Sequence, residues 1–201
     1  MKIERKARIL FDGDSITDAG RDRADEHSLS GYNRIIADRI GAERCYNRAV
    51  SGERTTELLA RWERTLDETR PDYVSILIGI NDVWRKYDSN NPTSHEKFAE
   101  NYETILRTVC PRVKGVILLE PYLIPVLPER EIMREDLNPK IDVIRALARK
   151  YRTAYVPLNG LFAEASITGD PKDYSDDSVH PNTGGHAFIA AEWLKRVEIA
   201  D

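Results

Sequence analysis

The hexapeptide YVSILI at residues 73–78 is the clearest indication of the fold class. It is rich in β-branched and apolar residues and has no charge on either face, as expected of a parallel strand covered by helices on both sides. The tetrapeptide GIND at residues 79–82 ends it, because glycine beside polar residues favours a turn. We therefore predict a buried central strand whose carboxyl end opens into a polar loop.

On either side of this strand, short apolar runs alternate with longer amphipathic segments. The short runs predict four further strands, at Ala7–Phe11, Cys45–Val50, Val116–Leu119 and Ala154–Val156. The amphipathic segments predict helices at residues 31–41, 55–68, 94–110, 129–151 and 187–197. Such alternation is typical of an α/β protein with helices on both faces of its sheet. We expect residues 1–201 to form a single domain, a three-layer α/β/α sandwich with a five-stranded, mostly parallel sheet.

Two of the predicted helices contain residues that end or interrupt helices. Gly41 follows the last apolar residue of the first helix and is expected to stop it. The pair Asn138-Pro139 lies inside the segment 129–151, and a proline in a helix interior removes one hydrogen bond. We expect this segment to form two pieces or a kinked helix.

The composition excludes several classes of protein. Hydrophobic residues make up 41% of the 201 residues and charged residues 32%, which are ordinary proportions for a soluble globular protein. The formal charge is −4 and there is no basic block, so no nucleic-acid partner is expected. The longest apolar stretches are shorter than the roughly 18 residues of a membrane-spanning helix, so no membrane partner is expected either.

The N-terminus and the cysteines bear on the cellular compartment. The first apolar run, Ile9–Phe11, is shorter than the roughly 7–15 residues of a secretory signal. Cys45 and Cys110 lie far apart, and neither belongs to a CxxC motif. We expect a cytoplasmic protein with free thiols.

Chemically useful side chains follow the predicted strands. In a parallel sheet the ligand site lies just past the carboxyl ends of the strands. Ser15 follows the first strand, Gly52 the second and Asn81 the third, and the segment from Asp177 to His180 precedes the last helix. The fold would bring a hydroxyl, several hydrogen-bond donors, a carboxylate and an imidazole to one edge of the sheet.

This set of groups is typical of acyl transfer. A serine hydroxyl needs a base to take its proton, and a neutral histidine can do so near pH 7. A carboxylate can fix the imidazole tautomer, and Asp177 precedes His180 by three residues. The N–H groups of Ser15 and Gly52 and the amide of Asn81 are candidate donors to the tetrahedral oxyanion. Such a reaction requires no metal and no organic cofactor.

Four segments carry a resemblance to a known family. In chain order they are GDSIT at 13–17, NRAVSG at 47–52, GIND at 79–82 and DSVHP at 177–181. With them the chain resembles the SGNH or GDSL-type esterases and lipases over nearly its whole length, although Ala49 stands where relatives often have glycine. The resemblance implies a flavodoxin-like fold and five site residues: Ser15 as nucleophile and oxyanion donor, Gly52 and Asn81 as further donors, His180 as base and Asp177 as its partner.

A narrower resemblance concerns the substrate. The strings GDSITDAGR at 13–21, RW at 61–62 and GINDVWR at 79–85 resemble small intracellular acetylesterases that act on acetylated xylo-oligosaccharides. This implies a serine esterase that hydrolyses short-chain acyl esters of carbohydrates, chiefly acetyl esters. Its partner would be a small-molecule or oligosaccharide ester substrate. Relatives in this branch can be oligomeric, so the resemblance is compatible with a homo-oligomer, but the sequence does not give the oligomeric state.

Several residues have competing interpretations. Trp84 and Tyr87 are candidates for the wall of a sugar pocket, and packing in the core is the alternative for both. Asp176 is an alternative to Asp177 as the acid beside His180. The remaining histidines are expected to be solvated or structural: His27, His95 and His186.

Three other functions are weighed against the esterase. A lysophospholipase or thioesterase would use the same residues, but the site loops are polar and no apolar lid is evident. A Mg²⁺-dependent phosphatase with Asp12 and Asp14 would leave Gly52, Asn81 and His180 without a role. A non-catalytic binding module would not need a competent residue at every implied catalytic position.

Overall fold

A five-stranded sheet in which every strand is parallel to its neighbours forms the centre of the molecule. The structure is a computed structural model that describes residues 1–4, 6–40 and 45–200. The strands are β2 (Ile9–Gly13), β3 (Cys45–Asn47), β4 (Tyr73–Leu77), β5 (Gly115–Leu119) and β6 (Ala154–Val156). Their order across the sheet is β3-β2-β4-β5-β6, the doubly wound order expected of a flavodoxin-like fold.

Helices cover both faces of the sheet. Within the described ranges none is both long and apolar enough to cross a lipid bilayer. The α-helices are α1 (Ser15–Asp18), α2 (Gly31–Ile40), α3 (Thr55–Thr69), α4 (Ile80–Asp88), α5 (His95–Val109), α6 (Arg134–Tyr151), α7 (Leu158–Thr168) and α8 (Thr183–Leu194).

The side chains of the strands alternate between two cores, as the pleat requires. In β2, Ile9 and Phe11 pack with residues of α2 and α8, whereas Leu10 packs with residues of α3 and α5. The same alternation is seen in β5, where Ile117 and Val116 belong to opposite cores. The three-layer sandwich expected from the sequence is confirmed, and its sheet is entirely parallel.

A close contact between β2 and β4 shapes the carboxyl edge of the sheet. Gly13 is the last residue of β2 and pairs with Leu77 of β4. Its φ is +152°, and a Cβ built on it would lie 1.9 Å from the carbonyl oxygen of Leu77. Only glycine fits here, so the chain can turn directly from β2 into α1.

The segment 129–151, in which a break or a kink was expected at Pro139, is not divided at the proline. The segment 134–151 is a single α-helix, and Pro139 lies inside it rather than dividing it into two pieces. The proline falls in the second turn, so the carbonyl that loses its partner is in the first turn, near the polar end of the helix. A short 3-10 helix, Pro128–Met133, precedes α6.

Other differences concern short or weakly patterned elements. The helices α4 and α7 were not expected, and neither was a second, two-stranded parallel sheet. In that sheet β1 (Lys2–Glu4) pairs with β7 (Glu198–Ala200). The last helix begins at Thr183, earlier than expected. The predicted stop at Gly41 lies outside the described residues.

Candidate active site

Ser15 is the first residue of α1, immediately after the turn that Gly13 permits. The side chain of Asp14 caps this helix, because its Oδ1 accepts a hydrogen bond from the N–H of Ile16 at 3.0 Å. The carbonyl of Thr17 accepts hydrogen bonds from the side-chain amides of Asn33 and Asn47, each at 2.7 Å. These contacts from α2 and from the end of β3 hold a four-residue helix in one position.

The loop before α8 presents His180 through a turn that is organised by Asp177. Asp177 Oδ1 accepts the backbone N–H groups of Val179 at 2.9 Å and His180 at 2.7 Å, a local pattern that aspartate favours in turns. Ser178 has a φ of 75°, and its carbonyl and hydroxyl accept the N–H groups of Ile124 and Leu127, both at 2.8 Å. The strained turn is thus held from outside as well as from within.

The three predicted polar side chains form one hydrogen-bonded chain. Ser15 Oγ lies 3.0 Å from His180 Nε2. His180 Nδ1 lies 2.7 Å from Asp177 Oδ2. Asp176 is exposed, and Asp177 is the acid that contacts the imidazole. A serine hydroxyl, an imidazole and a carboxylate in this order can pass a proton between a nucleophile and a base.

The electrostatics of the pair favour a charged carboxylate and a basic ring. The hydrogen bond to Asp177 raises the pKa of His180 above its ordinary 6.5, against the opposite effect of partial burial. Burial would raise the pKa of Asp177, but the His180 side chain and two backbone N–H groups hold that pKa well below its usual range. Asp177 is therefore ionised throughout the range in which His180 titrates.

Gly52 and Asn81 line the same cleft as Ser15 and His180. The cleft has a volume of about 340 Å³, and its other lining residues are Ser51, Trp84, Arg85 and Asp88. Gly52 has a φ of +86°, which favours glycine. Asn81 lies in the first turn of α4, and its Nδ2 donates to the carbonyl of Glu53 at 3.0 Å. A larger cavity of about 600 Å³ lies against α6 but contains none of the predicted site residues.

Two buried aspartates tie the loops of the site together. Asp18 Oδ2 accepts the N–H of Ser51 at 3.0 Å and its hydroxyl at 2.7 Å, which fixes the loop beside Gly52 to α1. Asp82 accepts the N–H and the hydroxyl of Thr55, at 2.9 and 2.7 Å. Burial raises the pKa of Asp82 to about 6, although the bonds from Thr55 oppose it. Asp82 therefore orients the start of α3.

Trp84 and Tyr87 lie beside the cleft at different distances from its centre. Trp84 is half-buried, and its ring centroid lies 5.7 Å from that of His180. Tyr87 lines a neighbouring cavity of about 220 Å³, which shares Trp84 and Asp88 with the first cleft. Arg130, which sequence reasoning missed, places its guanidinium over the Trp84 ring at 4.0 Å from the centroid.

The other candidate residues have structural partners. Both carboxylate oxygens of Asp12 accept hydrogen bonds from Arg61, so this side chain is not presented to the cleft as a phosphatase nucleophile would be. Asp14 is buried, and desolvation raises its pKa to about 7. His186 Nδ1 accepts the N–H of Tyr32 at 3.2 Å. His95 contacts Asp136 at the surface.

Comparison with known proteins identifies the family. The chain belongs to the GDSL-like lipase/acylhydrolase family, whose model matches residues 11–188. It is a carboxylic ester hydrolase. An acetylxylan esterase of Geobacillus stearothermophilus is 34% identical over 212 residues, an alignment that covers 98% of this chain and 96% of the relative.

Solved structures agree with the sequence relationship. The crystal structure of that acetylxylan esterase, Axe2, matches with a TM-score of 0.87 and 32% identity over 98% of this chain and 96% of the other. LAE5, an α/β-hydrolase enzyme from the metagenome of Lake Arreo, Spain, matches with a TM-score of 0.84 and 32% identity over 94% of each chain. Catalytic mutants of Axe2, with a serine, an aspartate or a histidine replaced by alanine, also match.

Proposed function

We propose that the protein is a serine esterase that removes short acyl groups, chiefly acetyl, from the hydroxyls of carbohydrates such as xylo-oligosaccharides. The hydrogen-bonded chain from Ser15 Oγ through the His180 ring to Asp177, at an open cleft, carries the proposal. The similarity to an acetylxylan esterase supports the substrate class. The catalytic mutants of that relative replace the same three residue types.

The first half of the reaction forms an acyl-enzyme. Ser15 Oγ attacks the carbonyl carbon of the ester while its proton passes to His180 Nε2. Asp177 accepts the Nδ1–H of the ring and stabilises the imidazolium that results. The imidazolium then donates the same proton to the departing sugar oxygen. The C–O bond of the ester breaks, the sugar hydroxyl is restored, and the acyl group stays on Ser15.

The second half releases the acyl group. His180, neutral again, takes a proton from a water molecule as the water oxygen attacks the acyl-serine carbonyl. Collapse of the tetrahedral intermediate breaks the bond to Ser15 Oγ, and His180 returns the proton to that oxygen. The products are the free enzyme and acetic acid, which loses its proton to the solvent and becomes acetate, and the balance needs only ester, water and these side chains.

The carbonyl oxygen of the ester becomes negatively charged in both halves of the reaction. In our proposal three hydrogen-bond donors stabilise this oxyanion. They are the backbone N–H groups of Ser15 and Gly52 and one Nδ2 hydrogen of Asn81. The carbonyl of Glu53 accepts the other Nδ2 hydrogen and so fixes the plane of the Asn81 amide. Preorganised donors of this kind are each worth about 10²–10³ in turnover.

The polarity of the cleft favours a short acyl group over a fatty one. Apart from Trp84, its lining residues are small, polar or charged. A long acyl chain would need a continuous apolar wall, because binding sites bury most of a ligand against surfaces of matching polarity. This argues for an acetylesterase and against the lysophospholipase and thioesterase alternatives.

The neighbouring cavity offers a place for the sugar. It shares Trp84 with the catalytic cleft and is lined by the charged residues Glu129 and Arg130 as well as by Tyr87. Carboxylate and guanidinium groups suit sugar hydroxyls, and aromatic rings suit the apolar face of a sugar. We place the sugar that bears the acetyl group along Trp84, with Tyr87 and Arg130 as further contacts.

A series of 4-nitrophenyl esters of increasing acyl length, measured beside acetylated xylo-oligosaccharides, tests this function. We expect the highest kcat/KM for acetate, a decline with each longer acyl group, and acetate release from the oligosaccharides. Ser15→Ala is expected to lower kcat by at least about 10³-fold. Ser166→Ala, in α7 and outside both cavities, is the control and is expected to match the wild type.

Two results would contradict the proposal. A preference for long acyl chains would assign the protein to the lipolytic alternatives. Hydrolysis at the wild-type rate by a folded Ser15→Ala variant would remove Ser15 from its role as the nucleophile.

A further inference from the structure

A cluster of three charged side chains lies behind the oxyanion donors. Arg61, in the second turn of α3, sits between Asp12 near the end of β2 and Glu53 in the loop after β3. The cluster is nearly closed to solvent: the exposed fractions of the side chains are 13% for Arg61, 0% for Asp12 and 13% for Glu53. None of the three lines the catalytic cleft.

Arg61 bonds to both carboxylates through its planar fork. Its Nη1 and Nη2 donate to the two oxygens of Asp12, at 2.9 and 2.7 Å. Its Nε and Nη2 donate to Glu53, at distances from 2.6 to 3.0 Å. Only a guanidinium has five donors in a rigid plane, so a lysine cannot make this pair of two-point contacts.

Each carboxylate lies close in sequence to residues that we propose as hydrogen-bond donors to the oxyanion. Glu53 follows Gly52, and the carbonyl of Glu53 accepts the side chain of Asn81 at 3.0 Å. Asp12 Oδ1 also accepts the N–H of Gly13 at 2.8 Å, two residues before Ser15. One guanidinium is therefore linked to the residue after Gly52, whose carbonyl holds the Asn81 amide, and to the end of β2 two residues before Ser15.

We propose that Arg61 is a positioning residue of the oxyanion site, which sets the spacing between Ser15, Gly52 and Asn81 by holding Asp12 and Glu53 together. The inference rests on the proposed function, because it assumes that these donors stabilise an oxyanion. Without the guanidinium, two buried carboxylates would repel each other and move the Gly52 loop away from β2. A displacement of about 1 Å in such a site costs on the order of 10² in rate.

Variants of Arg61, assayed with 4-nitrophenyl acetate, test the inference. We expect kcat to fall about tenfold in Arg61→Lys and about 100-fold in Arg61→Met. KM is expected to change less than about threefold, because oxyanion donors act on charge that develops in the transition state. Arg61→Lys keeps the charge, so its Tm is expected to stay within a few degrees of the wild type, which separates positioning from folding. Arg64→Met, at an exposed arginine on the same helix, is the control and is expected to be unchanged.

A double-mutant cycle gives the sharper readout. Because Arg61 is proposed to act partly through Asn81, Arg61→Lys should slow the Asn81→Ala enzyme by a clearly smaller factor than it slows the wild type, since the effects of coupled residues are not additive. The acid limb of the pH profile should not move, since Arg61 does not contact His180 or Asp177.

Two outcomes would overturn the inference. One is a kcat of Arg61→Lys within twofold of the wild type, and the other is full additivity in the cycle. If Ser15→Ala abolishes activity while either of these is found, the inference about Arg61 fails and the proposed function stands. If Ser15→Ala is fully active, the proposed function itself fails.

Discussion

The carboxylate of Asp177 performs two tasks with its two oxygens. Oδ1 accepts the backbone N–H groups that fold the turn, and Oδ2 accepts the ring of His180. The same group therefore builds the loop and holds the imidazole that the loop presents. A spacing of three residues lets one side chain reach both the turn and the ring.

At this scale the pH dependence of hydrolysis can be predicted. His180 must be neutral to act as the proposed base, and Asp177 raises the pKa of its ring above 6.5, so kcat/KM should begin to fall on acidification at a pH above 6.5. Asp177→Asn removes the largest cause of that rise, so the limb should move to lower pH. The profile of kcat/KM in wild type and variant measures this. If the acid limb of the kcat/KM profile does not move in Asp177→Asn, that limb reports the titration of another group. A flat wild-type profile down to pH 4 would rule out an imidazole base.

Which site residues the sequence reveals depends on the range of their contacts. Ser15, Asp177 and His180 lie in short motifs whose local turns leave a sequence pattern, and the structure brings them together as expected. Arg61 acts on a residue 49 positions away, and Arg130 reaches Trp84 only through the packing of a separate segment. Arg61 belongs to the string RW at 61–62, but nothing in the sequence indicates which carboxylates it would bind, and Arg130 appears as an ordinary surface charge.

At the scale of elements, the turn from β2 into α1 sets the direction of Ser15, the proposed nucleophile. We expect Gly13→Ala to destabilise the protein by about 3–5 kcal/mol, because the new Cβ would lie 1.9 Å from the carbonyl oxygen of Leu77. Gly160→Ala is the matched control: it lies in α7 with open space around the added Cβ, and helix propensity predicts a small gain. Urea denaturation of both variants measures the difference. Equal free energies of unfolding would contradict the role given to Gly13.

Pattern strength decided which elements could be predicted. The central strand β4 is buried along its whole length, and its apolar run predicted it. The helix α7 buries only Leu158 and Phe162, so it has little amphipathic period to recognise. The strands β1 and β7 are three residues each and largely unburied, and their pairing joins segments from opposite ends of the sequence.

At the scale of the whole molecule, the strand order explains why distant motifs meet. With β2 between β3 and β4, the ends of these three strands carry Ser15, Gly52 and Asn81 to adjacent places at one edge. The alternation of elements predicted the layers and the parallel sheet. The side-chain contacts between the layers depend on packing that no periodicity encodes.

The stability of the whole molecule in acid depends in part on a half-buried histidine, His186. Burial lowers the pKa of His186 to about 4, while the unfolded chain titrates near 6.5. The unfolded state therefore binds the extra proton, and this residue lowers stability as the pH falls from 6.5 to about 4, with no effect above that range.

His186→Asn keeps an acceptor for the N–H of Tyr32 and removes the titration. As the pH falls from 6 to 4, the Tm of the variant should increase relative to that of the wild type by about 3–5 °C per pH unit. Thermal melts of both proteins at a series of pH values measure this. A difference in Tm that is independent of pH would contradict it.

The guanidinium of Arg130 already occupies a face of Trp84. A sugar that stacks on that face must first displace the cation, which forfeits about 0.5–2 kcal/mol of attraction to the ring. In the absence of substrate, Arg130 therefore competes with a sugar for the face of the Trp84 ring. Binding there is an exchange of partners, and the departing arginine becomes free to bond to the hydroxyls of the sugar that replaced it.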